Sequence, residues 1–236
     1  MTALEELGAE AEACTACVLC ETRNTVVFGT GSETADLVFV GEAPGRNEDE
    51  QGVPFVGAAG NLLNRLCADV GIEREQVYIC NILKCRPPGN RDPEPGEIAS
   101  CTPYLDRQLE LLDPLVVVSL GAFATRYLLD RQVGVTRVRG RRFRWRNDAT
   151  LIPTLHPAAV LRGGASKLQD AREDFAVIRA TIDKARTYRA KNRAASAGAA
   201  TGVDAPERVD AEIDLRETVV ATSDTAADDA GQLGLF

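Results

Sequence analysis

Residues 36–60 read DLVFVGEAPGRNEDEQGVPFVGAAG. The apolar run Leu37–Val40 predicts a short buried strand, and Gly41 breaks it into a loop. The loop carries Glu42, Pro44, Glu48 and Asp49, closes on Pro54, Phe55, Val56 and Gly57, and gives way to a helix near Ala58. A strand, a glycine-rich loop and a helix put the loop at the carboxyl end of a strand, where α/β proteins bind their ligands. Phosphate cradles need backbone N–H groups and a lysine, and this loop has no lysine. It suits a flat, neutral ligand beside a positioned carboxylate.

The flanking sequence extends the same pattern. Leu62, Leu63, Leu66 and Val70 fall at helical spacing over 58–70, with Cys67 as a small buried residue among them. Val77–Ile82 is a second strand, with Asn81 near its end among apolar neighbours. An amide there must find hydrogen bonds or cost stability. A loop-tying amide and an amide that reads a ligand edge fit that position equally. Pro114–Leu120 is the most continuous apolar run and predicts a central strand. Another strand over 149–162 turns at His156-Pro157, which carries the only histidine of the chain. A lone histidine is more often structural than catalytic, but its place at a strand end favours function. Helices are expected over 3–13, 95–112, 122–130 and 167–188.

Seven cysteines in a chain without a signal-peptide-like start point away from disulfides. Cys14, Cys17 and Cys20 lie in CTACVLC, and Cys85 and Cys101 flank a polar, proline-rich excursion. A C-x2-C pair aims two thiolates at one metal, and the distant pair completes a four-thiolate site. Zinc and a [4Fe–4S] cluster both accept four cysteines, and the residues alone do not choose between them. Cys80 reads as core.

The net charge of −8 is unevenly placed. Residues 204–236 hold nine acidic and two basic side chains, against 26 and 25 in the rest. The part before the tail is thus near neutral and free to present a basic face to nucleic acid. Six arginines between 137 and 146 alternate with apolar residues, which predicts a strand with a basic, phosphate-contacting face or a merely solvated one. From about 190 the composition is that of a disordered tail. It ends in the apolar cluster QLGLF, Gln232–Phe236, which suits a docking peptide. No stretch is apolar enough to span a membrane, so the expected location is cytoplasmic, associated with the nucleoid.

These pieces together resemble the family 4, iron–sulfur uracil-DNA glycosylases of the uracil glycosylase superfamily. The resemblance covers about residues 10–188. It rests on GEAPG at 41–45, GVPFVGAAG at 52–60, NILKCRPPGNRDP at 81–93 and LHPAAVLR at 155–162, with Cys14, Cys17, Cys85 and Cys101 in the same order. It implies a three-layer α/β/α sandwich with a central, mainly parallel four-stranded sheet, a glycosylase domain over 1–190 and an acidic tail over 191–236. It also implies a [4Fe–4S] cluster on those four cysteines, structural rather than redox-active.

The carried-over roles are specific. Phe55 stacks on a flipped uracil, Asn81 binds its O4 and N3 edge, and backbone amides near Gly41 help to hold it. A neutral His156 donates to O2 as charge develops, and Glu42 orients or activates the water. Leu161 enters the gap left by the flipped nucleotide, and Arg162 contacts phosphate. A related group crosslinks to the DNA sugar through a histidine in an extra basic loop and carries Gln where this chain has Ala43; this chain has only His156 and no such insertion, so that outcome is not expected here. The implied enzyme is a monofunctional DNA repair hydrolase, a monomer acting on uracil in single- or double-stranded DNA. QLGLF resembles the pentapeptide by which bacterial proteins bind the sliding clamp. The rivals are a non-catalytic four-cysteine protein that binds uracil-containing or damaged DNA, and a zinc deaminase, which lacks its H-x-E signature here.

Overall fold

A computed structural model describes residues 1–199: positions 191–199 of the expected tail are helical, and the rest of it, with the terminal Gln232–Phe236, lies outside the described residues. Met1–Ala194 form one compact unit. Its sheet runs in the order β1-β3-β2-β4-β6-β5. The four inner strands are β3 (Tyr78–Asn81), β2 (Leu37–Gly41), β4 (Val116–Leu120) and β6 (Thr150–Thr154), all mutually parallel. The expected four-stranded parallel sheet is therefore present. Two short antiparallel strands, β1 (Thr30–Gly31) and β5 (Phe143–Arg144), close its edges and bring the count to six.

Alternation along the strands makes three layers. Successive strand residues face opposite sides. Leu37 and Phe39 of β2 join Val116 and Val118 of β4 and Ile152 of β6 on one face. There they pack on Leu62, Leu63 and Leu66 of α3 (Ala58–Asp69) and Phe175, Ile178 and Ile182 of α7 (Pro157–Ala199). Val38 and Val40, with Val117 and Leu151, face the other way. They meet Leu105 and Leu109 of α4 (Pro95–Leu112), Leu128 of α5 (Gly121–Leu129) and Leu4 of α1 (Ala3–Glu12). Gly164, at φ 69° and ψ −159°, breaks α7 after its first turns.

Two segments differ from the sequence reading. The loop after β2 contains a short helix, α2 (Arg46–Gln51), begun at Gly45 and ended by a left-handed Gly52. The arginine-rich stretch 135–148 is not one basic strand. A helical turn α6 (Val135–Val138) comes first, only Phe143 and Arg144 pair with β6, and positive φ at Asn147 and Asp148 ends the pairing. Two of its arginines bond to α7, whereas Arg137, Arg141, Arg144 and Arg146 are exposed and make no bond to it among the described residues. Arg139 binds Asp174 at 3.0 Å and the Asp170 carbonyl, and Arg142 donates to Thr181 Oγ1 at 2.7 Å. These three bonds tie the stretch to α7, so Arg139 and Arg142 do not form a free phosphate-binding face. No described helix is long and apolar enough to cross a membrane.

The parallel strands have the doubly wound order in which consecutive connections reverse direction beside β2. Ligands of such sheets bind outside the carboxyl ends of the strands at that point. Gly41, Asn81 and Gly121 mark three of those ends, and His156 follows the fourth by two residues.

Candidate active site and cysteine cavity

Parallel pairing places Gly41 directly opposite Asn81. A Cβ built on Gly41 would stand 2.3 Å from Asn81 Oδ1 and 2.8 Å from Phe55 Cζ, so only glycine lets these two groups approach the strand end this closely. Asn81 is 2 % exposed, and among the described residues its Oδ1 is the one buried side-chain oxygen or nitrogen without a hydrogen-bond partner. Leaving a buried acceptor unpaired costs about 1–3 kcal/mol. The site carries that cost when empty and relieves it when a donor arrives.

Phe55 forms the opposite wall. Its backbone adopts φ 56°, a left-handed conformation rare for an aromatic residue. Glu48 on α2 fixes the turn by accepting the N–H groups of Val56 at 3.0 Å and Gly57 at 3.2 Å. The Phe55 ring lies 5.7 Å from the His156 ring, tilted by 35°. The backbone N–H of Ala158 donates to His156 Nδ1 at 3.2 Å. Nδ1 is thus an acceptor, and the proton of the neutral ring sits on Nε2. Burial, with Arg162 nearby, lowers the pKa of His156 to about 4 against the opposing pull of Glu48, so the ring is neutral at physiological pH. Gly121, at φ 91°, lets β4 approach, because a Cβ there would stand 2.9 Å from that of His156.

Glu42 follows Gly41 and is half-buried. Burial and the neighbouring Asp92 raise its pKa, while Arg126 lowers it. A half-buried carboxyl at a strand end, with its pKa raised, can orient a water molecule or accept its proton. Leu161 is 47 % exposed at the start of α7, with Arg162 beside it on the surface. Gly41, Phe55, Asn81 and His156 thus stand together, with Glu42 next to Gly41 in the chain and Arg162 close enough to act on His156.

A cavity lies a few residues beyond Asn81 in the chain, where Lys84 and Cys85 help to line it. Cys14, Cys17, Cys20, Cys85 and Cys101 line it, together with Arg23, Lys84 and Tyr104. Arg23 Nη1 donates to Cys85 Sγ at 3.4 Å and to the Cys14 carbonyl at 2.9 Å. The backbone N–H of Lys84 donates to Cys101 Sγ at 3.2 Å. Burial pushes the Cys101 thiol up to about 11 and raises that of Cys85, against the cations Lys84 and Arg23. Cys14, Cys20 and Cys85 all lie near the Arg23 guanidinium. Among the described residues no three His, Cys, Asp or Glu side chains converge as a single-ion cage. Cys67 and Cys80 stand apart in the core, as expected.

Lys84 links the two sites. It is 2 % exposed, and its ammonium donates to the Asn81 carbonyl at 2.8 Å and to Gln108 Oε1. Sequence reading missed this role, although a lysine inside the otherwise apolar run CNILKC was a visible anomaly. It left the duty of Glu48 open and did not detect Gly121 or Ala158, whose contacts are with residues distant in sequence or made through the backbone.

The profile of the uracil DNA glycosylase superfamily matches residues 28–177, which include every pocket residue described above. The chain belongs to that superfamily. It is 43 % identical to the type-4 uracil-DNA glycosylase of Sulfurisphaera tokodaii over 187 residues, 76 % of this chain and 84 % of the relative. Identity is 47 % to the type-4 enzyme of Archaeoglobus fulgidus, covering 68 % of this chain and 84 % of the relative. It is 42 % to that of Thermotoga maritima, covering 78 % and 94 %. Membership of the type-4 group agrees with the motifs at 41–45, 52–60, 81–93 and 155–162.

Proposed function

We propose that this protein excises uracil from DNA, hydrolysing the N-glycosidic bond of a flipped nucleotide and leaving an abasic site. The orphaned Asn81 Oδ1 opposite Phe55 carries the reading. Uracil offers an N3–H donor and an O4 acceptor, which match the oxygen and the NH2 of one amide. Cytosine presents an acceptor at N3 and an amino group at C4, so the same amide meets it with both signs reversed. Sites built around such bonds reject the mismatched base strongly.

His156 supports the chemical step. Its Nε2–H donates to O2 as negative charge gathers on the departing base, with no proton transfer required of a ring that is already neutral. Glu42 orients or activates the water and offsets positive character on the sugar. Leu161 fills the vacated stack and Arg162 contacts phosphate. Lyase chemistry through a Schiff base is not expected. Lys84 is the lysine next to the pocket, and its amine is enclosed and bound to Asn81 and Gln108.

Cys14, Cys17, Cys85 and Cys101 would hold a [4Fe–4S] cluster. The fit rests on the donor set: thiols lining one cavity, two of them accepting N–H donors. A zinc ion binds each thiolate at about 2.3 Å, so its sulfurs stand about 3.8 Å apart. Among the described residues no three such side chains converge on one ion, which favours the larger group. When bound, the cluster supplies structural order rather than redox chemistry. The chain's own cations, Arg23 and Lys84, complement thiolate charge around it.

The expected partner is DNA, contacted by a monomer in the cytoplasm. Gln232–Phe236 would tether the enzyme to a sliding clamp, raising its effective concentration on replicating DNA. Removal of 232–236 should abolish clamp binding, and full retention of binding would refute the tether. The decisive test of function is alkali-sensitive cleavage of a uracil-bearing oligonucleotide by the purified protein. Absence of cleavage on both strand forms would sink the reading. Glu42→Gln with an undiminished single-turnover rate would remove Glu42 from the mechanism.

A further inference from the structure

We propose that Arg74 is a positioning residue for uracil binding, acting through the Phe55 ring. The inference rests on the function proposed above and deepens it. Arg74 opens a 3-10 turn, Arg74–Gln76, just before β3, and it touches neither His156 nor Glu42. Its guanidinium reaches back to the corner that presents Phe55. Nη2 donates to the Pro54 carbonyl at 2.7 Å, and Nη1 lies 3.5 Å from the Phe55 carbonyl and 2.8 Å from Asn64 Oδ1 on α3.

The corner needs such support. A non-glycine residue held at positive φ costs about 1–3 kcal/mol unless its surroundings determine it. Three constraints meet here. Glu48 accepts the N–H groups on the exit side, at Val56 and Gly57. Gly60 lets α3 press against the turn, since a Cβ there would stand 1.7 Å from the Phe55 oxygen. Arg74 takes the carbonyls of Pro54 and Phe55, one on each side of the Phe55 Cα. A carboxylate on the N–H groups and a guanidinium on the carbonyls together pin the same left-handed turn.

The partners of Arg74 show what it is for. Among the described residues it forms no salt bridge, and its three acceptors are neutral oxygens. Burial lowers its pKa, with Cys67 and Glu75 opposing. A half-buried cation without an anionic partner is a costly way to hold a surface turn. It is understandable where two converging carbonyls must be fixed by one planar fork, a geometry lysine cannot reproduce.

The test is a double-mutant cycle with Arg74→Gln, Phe55→Ala and the double variant, read by inhibition with free uracil and by kcat and KM on a uracil oligonucleotide. Base–aromatic stacking is worth about 1–3 kcal/mol, so Phe55→Ala should weaken uracil inhibition by roughly 5- to 150-fold. Arg74→Gln should weaken it by about 5- to 10-fold, raise KM similarly and lower kcat by a smaller factor. In the Phe55→Ala background it should add nothing, because the ring through which it acts is gone. Arg74→Lys keeps the charge without the fork and should fall between wild type and Arg74→Gln. It serves as the single variant if Arg74→Gln does not fold. Equal losses in both backgrounds, or a lowered melting temperature with uracil inhibition unmoved, would overturn the proposal. A wild type that neither releases uracil nor is inhibited by it would instead refute the functional reading itself.

Discussion

The backbone N–H of Ala158 donates to Nδ1 of His156 at 3.2 Å, which leaves the ring one proton, on the nitrogen available to a ligand. With its pKa lowered to about 4, His156 titrates below the physiological range. The rate between pH 5.5 and 8.5 should therefore show no inflection due to this ring, and a histidine-like step near 6.5 would contradict the neutral donor. Stability follows the same displacement. Between pH 6.5 and 4 the unfolded chain takes up a proton that the folded ring refuses, so the contribution of His156 is complete above 6.5 and is lost as pH falls towards 4. Its ceiling is about 3 kcal/mol. Urea unfolding of wild type and His156→Asn at pH 7.5 and 5.0 should show wild type losing more on acidification. His156→Ala should cost about 10²–10³ in kcat, the range for loss of one charge-stabilising donor.

Gly41→Ala should close the pocket without unfolding the protein. The added methyl meets two side chains, Asn81 and Phe55, at 2.3 and 2.8 Å. These can shift where a backbone could not, and small displacements in such sites cost on the order of 10²-fold. A kcat/KM within threefold of wild type would show that the base does not enter between them.

Asn81→Asp tests the reading of the base edge. A carboxyl group loses the NH2 donor for O4 yet still accepts from the amino group of cytosine. Uracil excision should fall by about 10⁴-fold, and the preference for uracil over cytosine should narrow. An unchanged preference would place discrimination elsewhere.

The cysteines separate into two classes by experiment. Cys85→Ser should lose bound iron and the broad absorbance near about 400 nm, while Cys20→Ser should retain both. Stoichiometric zinc in place of iron in the purified protein would overturn the cluster assignment.

Leu161 is exposed near the start of α7, where the proposed wedge requires it. Leu161→Ala should slow cleavage in duplex DNA by about tenfold more than in single strands, since only the duplex must be unstacked. Equal losses on both would exclude the wedge.

Much of the architecture was legible because it is written in local apolar pattern. Leu37–Val40, Val77–Ile82 and the run before Leu120 announced the strands, and the helix over 95–112 was read with its observed limits. Helix α2 escaped notice because RNEDEQ has no apolar stripe, and its bounds are set by two glycines. The stretch 135–148 misled because the acceptors that claim Arg139 and Arg142 lie some 30 to 40 residues downstream, on α7. The same division holds in the pocket. Gly41, Asn81 and His156 advertise themselves at strand ends. Arg74, Gly121 and Ala158 work through contacts that exist only once the chain is folded.

Asn81 and Cys85 stand four residues apart, and Lys84 is tied to both sites, by its ammonium to the Asn81 carbonyl and by its N–H to Cys101 Sγ. The segment that carries Asn81 is thus the same one that lines the cysteine cavity. On the proposed assignment, a disturbance of the cysteine centre reaches the amide that would recognise uracil through a single residue, Lys84.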